Sequence, residues 1–586
     1  MTRPRMPKMR ANQTPPTAFA AIAALALAVL LTWPVVLFPT KLLLGHPGND
    51  TWNHVWGYWW VSEAFIQGEW PAWTDLLSYP DGGTLYFIDT VQALLVTPIY
   101  MLVGPAMAFN MVIVFGFALS AWGSWLLAYK LTGDAVSSGI TMVIYGASPH
   151  LLGQAYNGIS ETMCAGWLPI ALWSFLHFLD RPTWRRAVGL GSAVAITMLT
   201  SWYYGLFAVF AIAVVLIWRA VYQPWIQPWV RSLFRLTGAT VVGLLLVGPA
   251  LRLFQGSLDA PDALVTRDPE FVAASLLYHN ITDIVAFFEP TKVPSPDLLT
   301  MYGEELVIVI YLGWVGIFLV GYALLATRRH REFGPWLWLG LVFFIFSLGP
   351  YLNVNGGMFE IDGRRVPLPF LPLFDALPLF SRISHPFRFV VGVSLAVSVL
   401  AAHGLRHMTR HTGMRARLGL VIALSVLALA EFRYGSPATL PVPVSDAAIP
   451  MAYTEMAADP EPGAVLDLPM AVPNLERAVY VWYQTEHGRP LPWGLNEPMP
   501  ELLLRNRLTA TLIRLEANRA KSLPPNMPEL DLVIGSHALA RQGFRYIVLH
   551  ERLYPEFKLR QVEAVLIGLF GAPRRHPSDG LQVYTL

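Results

Sequence analysis

At 586 residues, 54% hydrophobic and only 14% charged, with a mean hydropathy of +0.46, the chain has the composition of a polytopic membrane protein and not of a soluble enzyme. A net charge of +2 argues against a nucleic-acid partner, and one cysteine, Cys164, excludes a disulfide framework and a thiol metal site. The 21 tryptophans fit a protein with many anchors at the membrane interface.

The N-terminus is basic (Arg3, Arg5, Lys8, Arg10) and precedes an uncharged run over residues 11–40. That run is longer than a signal-peptide core and lacks a small-x-small cleavage site, so it reads as a retained span with its N-terminus in the cytoplasm. An outside loop over 41–105 follows. It carries Asp50 and His54 four residues apart, on one face of a helix expected to run through Trp60. A carboxylate and an imidazole so placed can move a proton or hold a divalent metal such as Mg or Mn; a helix cap at Asn49 or Asp50 is the simpler alternative. The stretch 90–129 has no charge and is broken at Pro98 and Gly104-Pro105. Residues 91–103 therefore read as a helix lying on the outer surface, and 106–129 as the next span.

Spans are then expected over 135–149, 162–179, a tight pair within 187–218 that reverses near Trp202, 236–251, 306–327, 335–348, 389–405 and 418–430. That makes about 11 in all, with the Lys/Arg clusters inside and long outside loops at 252–305 and 349–388. Beyond residue 441 the composition changes. Branched residues at 464–468 and 544–549, a helical apolar stripe at 559–570 and an alternating 581–586 predict a small soluble α/β domain over 441–586, also outside.

Further candidate site residues lie outside the membrane. Tyr156, Asn157 and Glu161 stand at the mouth of a span, where a carboxylate either has a task or favours a helix start. In the 252–305 loop, Tyr278, His279, Asn280, Glu289, Glu304 and Glu305 are candidates, because so long a connection is seldom structureless. Arg382, His385 and Arg388 sit where the chain re-enters the membrane and suit a phosphate head group, although snorkelling anchors have the same pattern. The sequence has no Walker loop, no dinucleotide turn and no His-Glu-x-x-His pattern.

A first span, an early outside Asp, an interfacial helix ending in Leu102-Val103-Gly104-Pro105 and many further spans resemble the GT-C superfamily of integral-membrane glycosyltransferases. The resemblance covers roughly residues 1–435. Pro386-Phe387-Arg388-Phe389, and the segment from Tyr483 to Pro490, look like a bacterial subgroup of that superfamily. It implies a polyprenyl-phosphate sugar as donor and a glycan, lipid or protein acceptor in the cell envelope. It implies Asp50 as the catalytic acid of the first loop and Glu161 as the second outside acid; His54, Tyr156, Asn157, Arg382, His385 and Arg388 are expected, from their positions, as substrate or lipid-phosphate contacts. Many members carry an acidic pair in the first loop where this chain has Asn49-Asp50, which leaves metal dependence open. The implied place is the plasma membrane of a bacterium, C-terminal residues outside. A lipid-saccharide transporter or flippase, which would show repeated halves and charged mid-span residues, and a non-catalytic scaffold are the alternatives.

Overall fold

The computed structural model describes residues 16–222, 229–265, 269–279, 282–289, 307–326, 333–377, 380–472, 474–495, 499–517 and 529–586. The basic N-terminus, the 328–331 cluster, Asn280, Glu304 and Glu305 lie outside the described residues.

Helix α1 (Pro16–Leu31) leads through a short strand β1 (Leu42–Leu44) to α2 (Thr51–Ile66). A two-residue hairpin, β2 (Trp73–Thr74) and β3 (Gly83–Thr84), precedes α3 (Thr90–Val103) and α4 (Pro105–Thr132). Gly104 separates the last two at φ +93°, a conformation glycine adopts without strain, and Pro105 starts α4 where no backbone donor is needed. After α5 (Ala135–Ser138) and α6 (Ile140–Ile144) comes α7 (Pro149–Tyr156), capped by the Ser148 hydroxyl. The sequence reading ends one span at residue 149 and starts the next at 162, leaving no helix at α7. Its buried Leu151, Leu152 and Ala155 make it a helix packed inside the fold.

The bundle continues with α8 (Trp167–Asp180), α9 (Trp184–Thr200), α10 (Trp202–Tyr222) and α11 (Trp229–Leu258). It ends with α12 (Trp314–Ala326), α13 (Gly334–Ser347), α14 (Val390–Met408) and α15 (Met414–Gly435). Most expected spans fall on one helix, whereas 135–149 falls on the two short helices α5 and α6. Among the described residues, six helices are long and apolar enough to cross a bilayer and five apolar ones are shorter. The span expected from 306 is one of the shortened ones. Its leading Val307-Ile308-Val309-Ile310 run is β-branched and stays non-helical, until Gly313 at φ +84° turns it into α12. Glu431 of α15 receives the first backbone donors of α12, from Trp314 at 2.6 Å and Val315 at 3.3 Å, placing a carboxylate at the positive end of that helix. At the ends the sequence assigns to the cytoplasm, Lys130 pairs with Asp180 and Arg417 with Asp134.

The C-terminal residues build a four-stranded sheet from β5 (Ala464–Leu468), β6 (Phe544–His550), β7 (Arg574–His576) and β8 (Leu581–Thr585), in the order β7-β8-β6-β5. β5 and β6 are parallel; the other pairs are antiparallel. This region is joined to the first outside loop by main chain. β4 (Val444–Asp446) pairs with β1, and the amides of Ser78 and Tyr79 donate to the carbonyls of Trp493 and Leu491 at 3.0 Å each. Helix α16 (Val479–His487) lies across α2. Gln484 fixes that crossing: its Oε1 accepts from the Trp56 indole at 2.7 Å, and its amide donates to the carbonyls of Leu76 (2.7 Å) and Arg489 (2.9 Å). The conspicuous segment from Tyr483 to Pro490 is therefore the seam between the sheet and the loop. Arg489 completes it by donating to the carbonyls of Met456, Asp459 and Glu461.

Candidate active site

The start of α2 is pressed against the turn after α7. The His46 amide donates to the Tyr156 carbonyl at 2.7 Å, and the two rings stack 5.1 Å apart. Gly158, at φ +71°, leaves room for Thr51, whose Oγ1 would lie 2.2 Å from an added Cβ. Asn49 donates to Asn157 at 3.0 Å, and Asn157 in turn holds both the amide (2.8 Å) and the carbonyl (3.0 Å) of Val307. Tyr156 and Asn157 thus act as braces that bind three segments together.

Asp50 stands at this junction, half-buried, immediately before α2. Its carboxylate makes no capping bond to the helix backbone; Oδ1 accepts from the Asn53 amide at 2.9 Å. One turn on, His54 faces a residue the sequence reading did not single out. Asp89, fully buried at the start of α3, accepts from His54 Nδ1 at 2.9 Å, from the Ser160 hydroxyl and from the Gln92 amide at 2.8 Å. Gln92 receives the Cys164 thiol at 2.9 Å, which gives the lone cysteine a place in the same network. Burial alone would lower the His54 pKa, but the hydrogen bond and charge of Asp89, helped by the fields of Asp50 and Glu161, outweigh it and hold it at about 9. His54 is accordingly an imidazolium at neutral pH.

Glu161, buried on the 3-10 turn Ser160–Thr162, accepts from Arg388 Nη1 at 2.5 Å. Arg388 comes from the turn Pro386–Phe389 leading into α14, and its guanidinium also lies over the Tyr203 ring at 4.5 Å. Both members of this pair are buried. Arg382 stands exposed on the preceding turn, and His385 is half-buried, its Nδ1 2.8 Å from the Ser384 hydroxyl. The two sequence-predicted acids therefore converge around His54 from different elements, and Asp89 joins them as a third. Asp89 is the last charge before the uncharged 90–129 stretch and immediately precedes a helix, but nothing local in the sequence ties it to His54 or Ser160.

Among the described residues, no group of three or more His, Cys, Asp or Glu side chains is arranged to hold a divalent metal.

No protein-family model and no curated protein matches the sequence. Among solved structures, the chain is similar to the mycobacterial arabinofuranosyltransferase AftD, with a TM-score of 0.55 and 17% identity over 97% of this chain; it spans 39% of AftD's length. It is also similar to the apo oligosaccharyltransferase of Archaeoglobus fulgidus, with a TM-score of 0.51 and 12% identity over 91% of this chain and 69% of that one. ArnT from Cupriavidus metallidurans, bound to undecaprenyl phosphate, matches at a TM-score of 0.48 and 14% identity over 97% of this chain and 98% of that one. The fold of this chain is that of the GT-C glycosyltransferases.

Proposed function

We propose that this protein is an inverting glycosyltransferase that moves a sugar from a polyprenyl-phosphate-linked donor to a cell-envelope acceptor on the outer face of a bacterial plasma membrane. The observation that carries the reading is Asp50 one turn before a His54 that is bonded to Asp89 and Ser160, with Glu161 on the same turn as Ser160, within a GT-C fold. Two of those carboxyl groups are engaged inside the protein, Asp89 with His54, Ser160 and Gln92, and Glu161 with Arg388. Asp50 is the half-exposed one, oriented by Asn53, and is the general base.

In this mechanism Asp50 takes the proton of an acceptor hydroxyl as its oxygen attacks the anomeric carbon. The new carbon–oxygen bond forms opposite the departing phosphate, and the old one breaks with its electron pair leaving on the lipid phosphate. The proton passes from Asp50 to water. His54 is a positioning residue, a fixed positive charge one turn from the base. Exposed Arg382 and half-buried His385 receive the lipid phosphate, while Arg388, held by Glu161 and Tyr203, anchors their turn.

The test is sugar transfer from a labelled undecaprenyl-phosphate donor by protein in lipid nanodiscs. Asp50→Asn retains a side chain compatible with a helix start, so the fold is expected to survive. Transfer should fall on the order of 10²–10⁴-fold with an unchanged melting temperature. Near wild-type transfer would remove Asp50 from the chemistry.

A further inference from the structure

A cleft of about 760 Å³ separates the β2–β3 hairpin from the outer end of α11. That volume falls within the roughly 300–1,000 Å³ range of small-ligand sites. One wall presents Trp70 and Tyr86; the other presents Pro249, Arg252 and Ser257. The rings are held in place, Tyr86 edge-on to Phe254 at 5.4 Å, and Phe254 stacked on Trp202 at 5.3 Å. Gly248 and Gly256 also line the cleft, and a Cβ on either would meet nothing within 4 Å, so the α11 wall is kept low where an occupant would lie. The walls are tied together by main chain. The Thr84 amide donates to the Asp262 carbonyl at 3.0 Å, the Leu264 amide to the Thr84 carbonyl at 2.9 Å, and the Thr84 hydroxyl to Asp262 at 2.8 Å. The cleft is thus preformed.

Its inner end adjoins the candidate active site. Burial, and then the field of Asp89, push the Tyr86 hydroxyl up to about 12, and Tyr86 is three residues from Asp89 on the same strand-to-helix connection. The chemistry of the lining is mixed. Flat aromatic faces alternate with a guanidinium and a hydroxyl, and Glu69, Asp259 and Asp262 stand exposed nearby. A hydrocarbon chain would leave Arg252 facing apolar carbon, which is costly, whereas the Ser257 hydroxyl already donates to the Phe254 carbonyl at 2.8 Å and keeps only its lone pairs for an occupant. A saccharide matches both halves, with its C–H faces on the rings and its hydroxyls on Arg252 and Ser257.

We propose that this cleft is the acceptor subsite and that the acceptor is a glycan chain, an inference that rests on the glycosyltransferase reading above. Trp70, 51% exposed, is the stacking platform, and Arg252 sets the register of the chain. The experiment is equilibrium dialysis of the full-length protein in nanodiscs against labelled linear tetrasaccharides of arabinofuranose, mannose and glucose. An undecaprenyl-phosphate arm and a tetrapeptide arm run in parallel. At least one saccharide should bind. Its affinity should fall about tenfold in Trp70→Ala and severalfold in Arg252→Gln, and return toward wild type in Trp70→Phe. A protein that binds the saccharide but never transfers sugar would sink the enzyme reading and keep a glycan site here. Failure of every saccharide to bind, binding indifferent to Trp70→Ala, or loss of lipid phosphate or peptide in the cleft variants would overturn the proposal.

Discussion

Replacing Asp89 by Asn should erase most of the pH dependence of this protein's stability between neutral and mildly alkaline pH. The His54 pKa lies at about 9 in the folded protein against an ordinary 6.5, so the proton binds the folded state more tightly. That contribution is complete below pH 6.5 and disappears as pH rises through 9. Its size follows from the separation of the two values and is about 3 kcal/mol. At about 2 °C per kcal/mol, the wild-type melting temperature should drop by several degrees between pH 6.5 and 9.5 from this group. Asn keeps one oxygen, enough for Ser160 or for Gln92 but not for both, and removes the charge that outweighs burial, so His54 becomes neutral and the variant's profile flattens over the same interval. The assay is thermal unfolding in one detergent at a fixed scan rate, for wild type, Asp89→Asn, His54→Gln and the double variant. Equal slopes for wild type and Asp89→Asn would refute the Asp89–His54 account of the site.

The buried Glu161–Arg388 pair gives a second expectation. Arg388→Gln alone should destabilise by roughly 3–5 kcal/mol, because it strands a buried carboxylate, and adding Glu161→Gln should recover much of that loss in a double-mutant cycle. At the seam, Gln484→Leu orphans the Trp56 indole and the carbonyls of Leu76 and Arg489, each worth roughly 1–3 kcal/mol, and should speed hydrogen exchange over residues 74–79 and 489–493. Gln484→Glu, which keeps the acceptor for Trp56, should fall between wild type and Leu.

Much of the helical skeleton was legible because its signals are local. The break at Gly104-Pro105, the reversal near Trp202 and the branched strand at 464–468 all appear where the residues place them. α7 was not legible as a helix, since its eight residues are too few for a periodic stripe and its helical packing depends on distant neighbours. The non-helical Val307–Gly313 segment was hidden for a different reason: hydropathy alone cannot distinguish a buried branched run from the start of a span. Within the site, Asp50 and Glu161 were visible from position along the chain. Asp89 was not, because its role comes from His54 and Ser160, 35 and 71 residues away, and only the fold brings the three together.

The seam between β1 and β4 also has a consequence for the order of assembly. Ser445 donates to the carbonyl of Gly45 across 400 residues of chain, and Trp56 meets Gln484 across 428. The loop bearing Asp50 is made early, yet the groups that hold its helix in place are made near the end, after every intervening helix. While the chain is growing, that loop has its acid but lacks its backing. A protein released before residue 490 would carry the membrane helices and Asp50 with α2 unclamped. The clamping of α2 then comes in one late step, set by closure of a very long loop and not by formation of the helices.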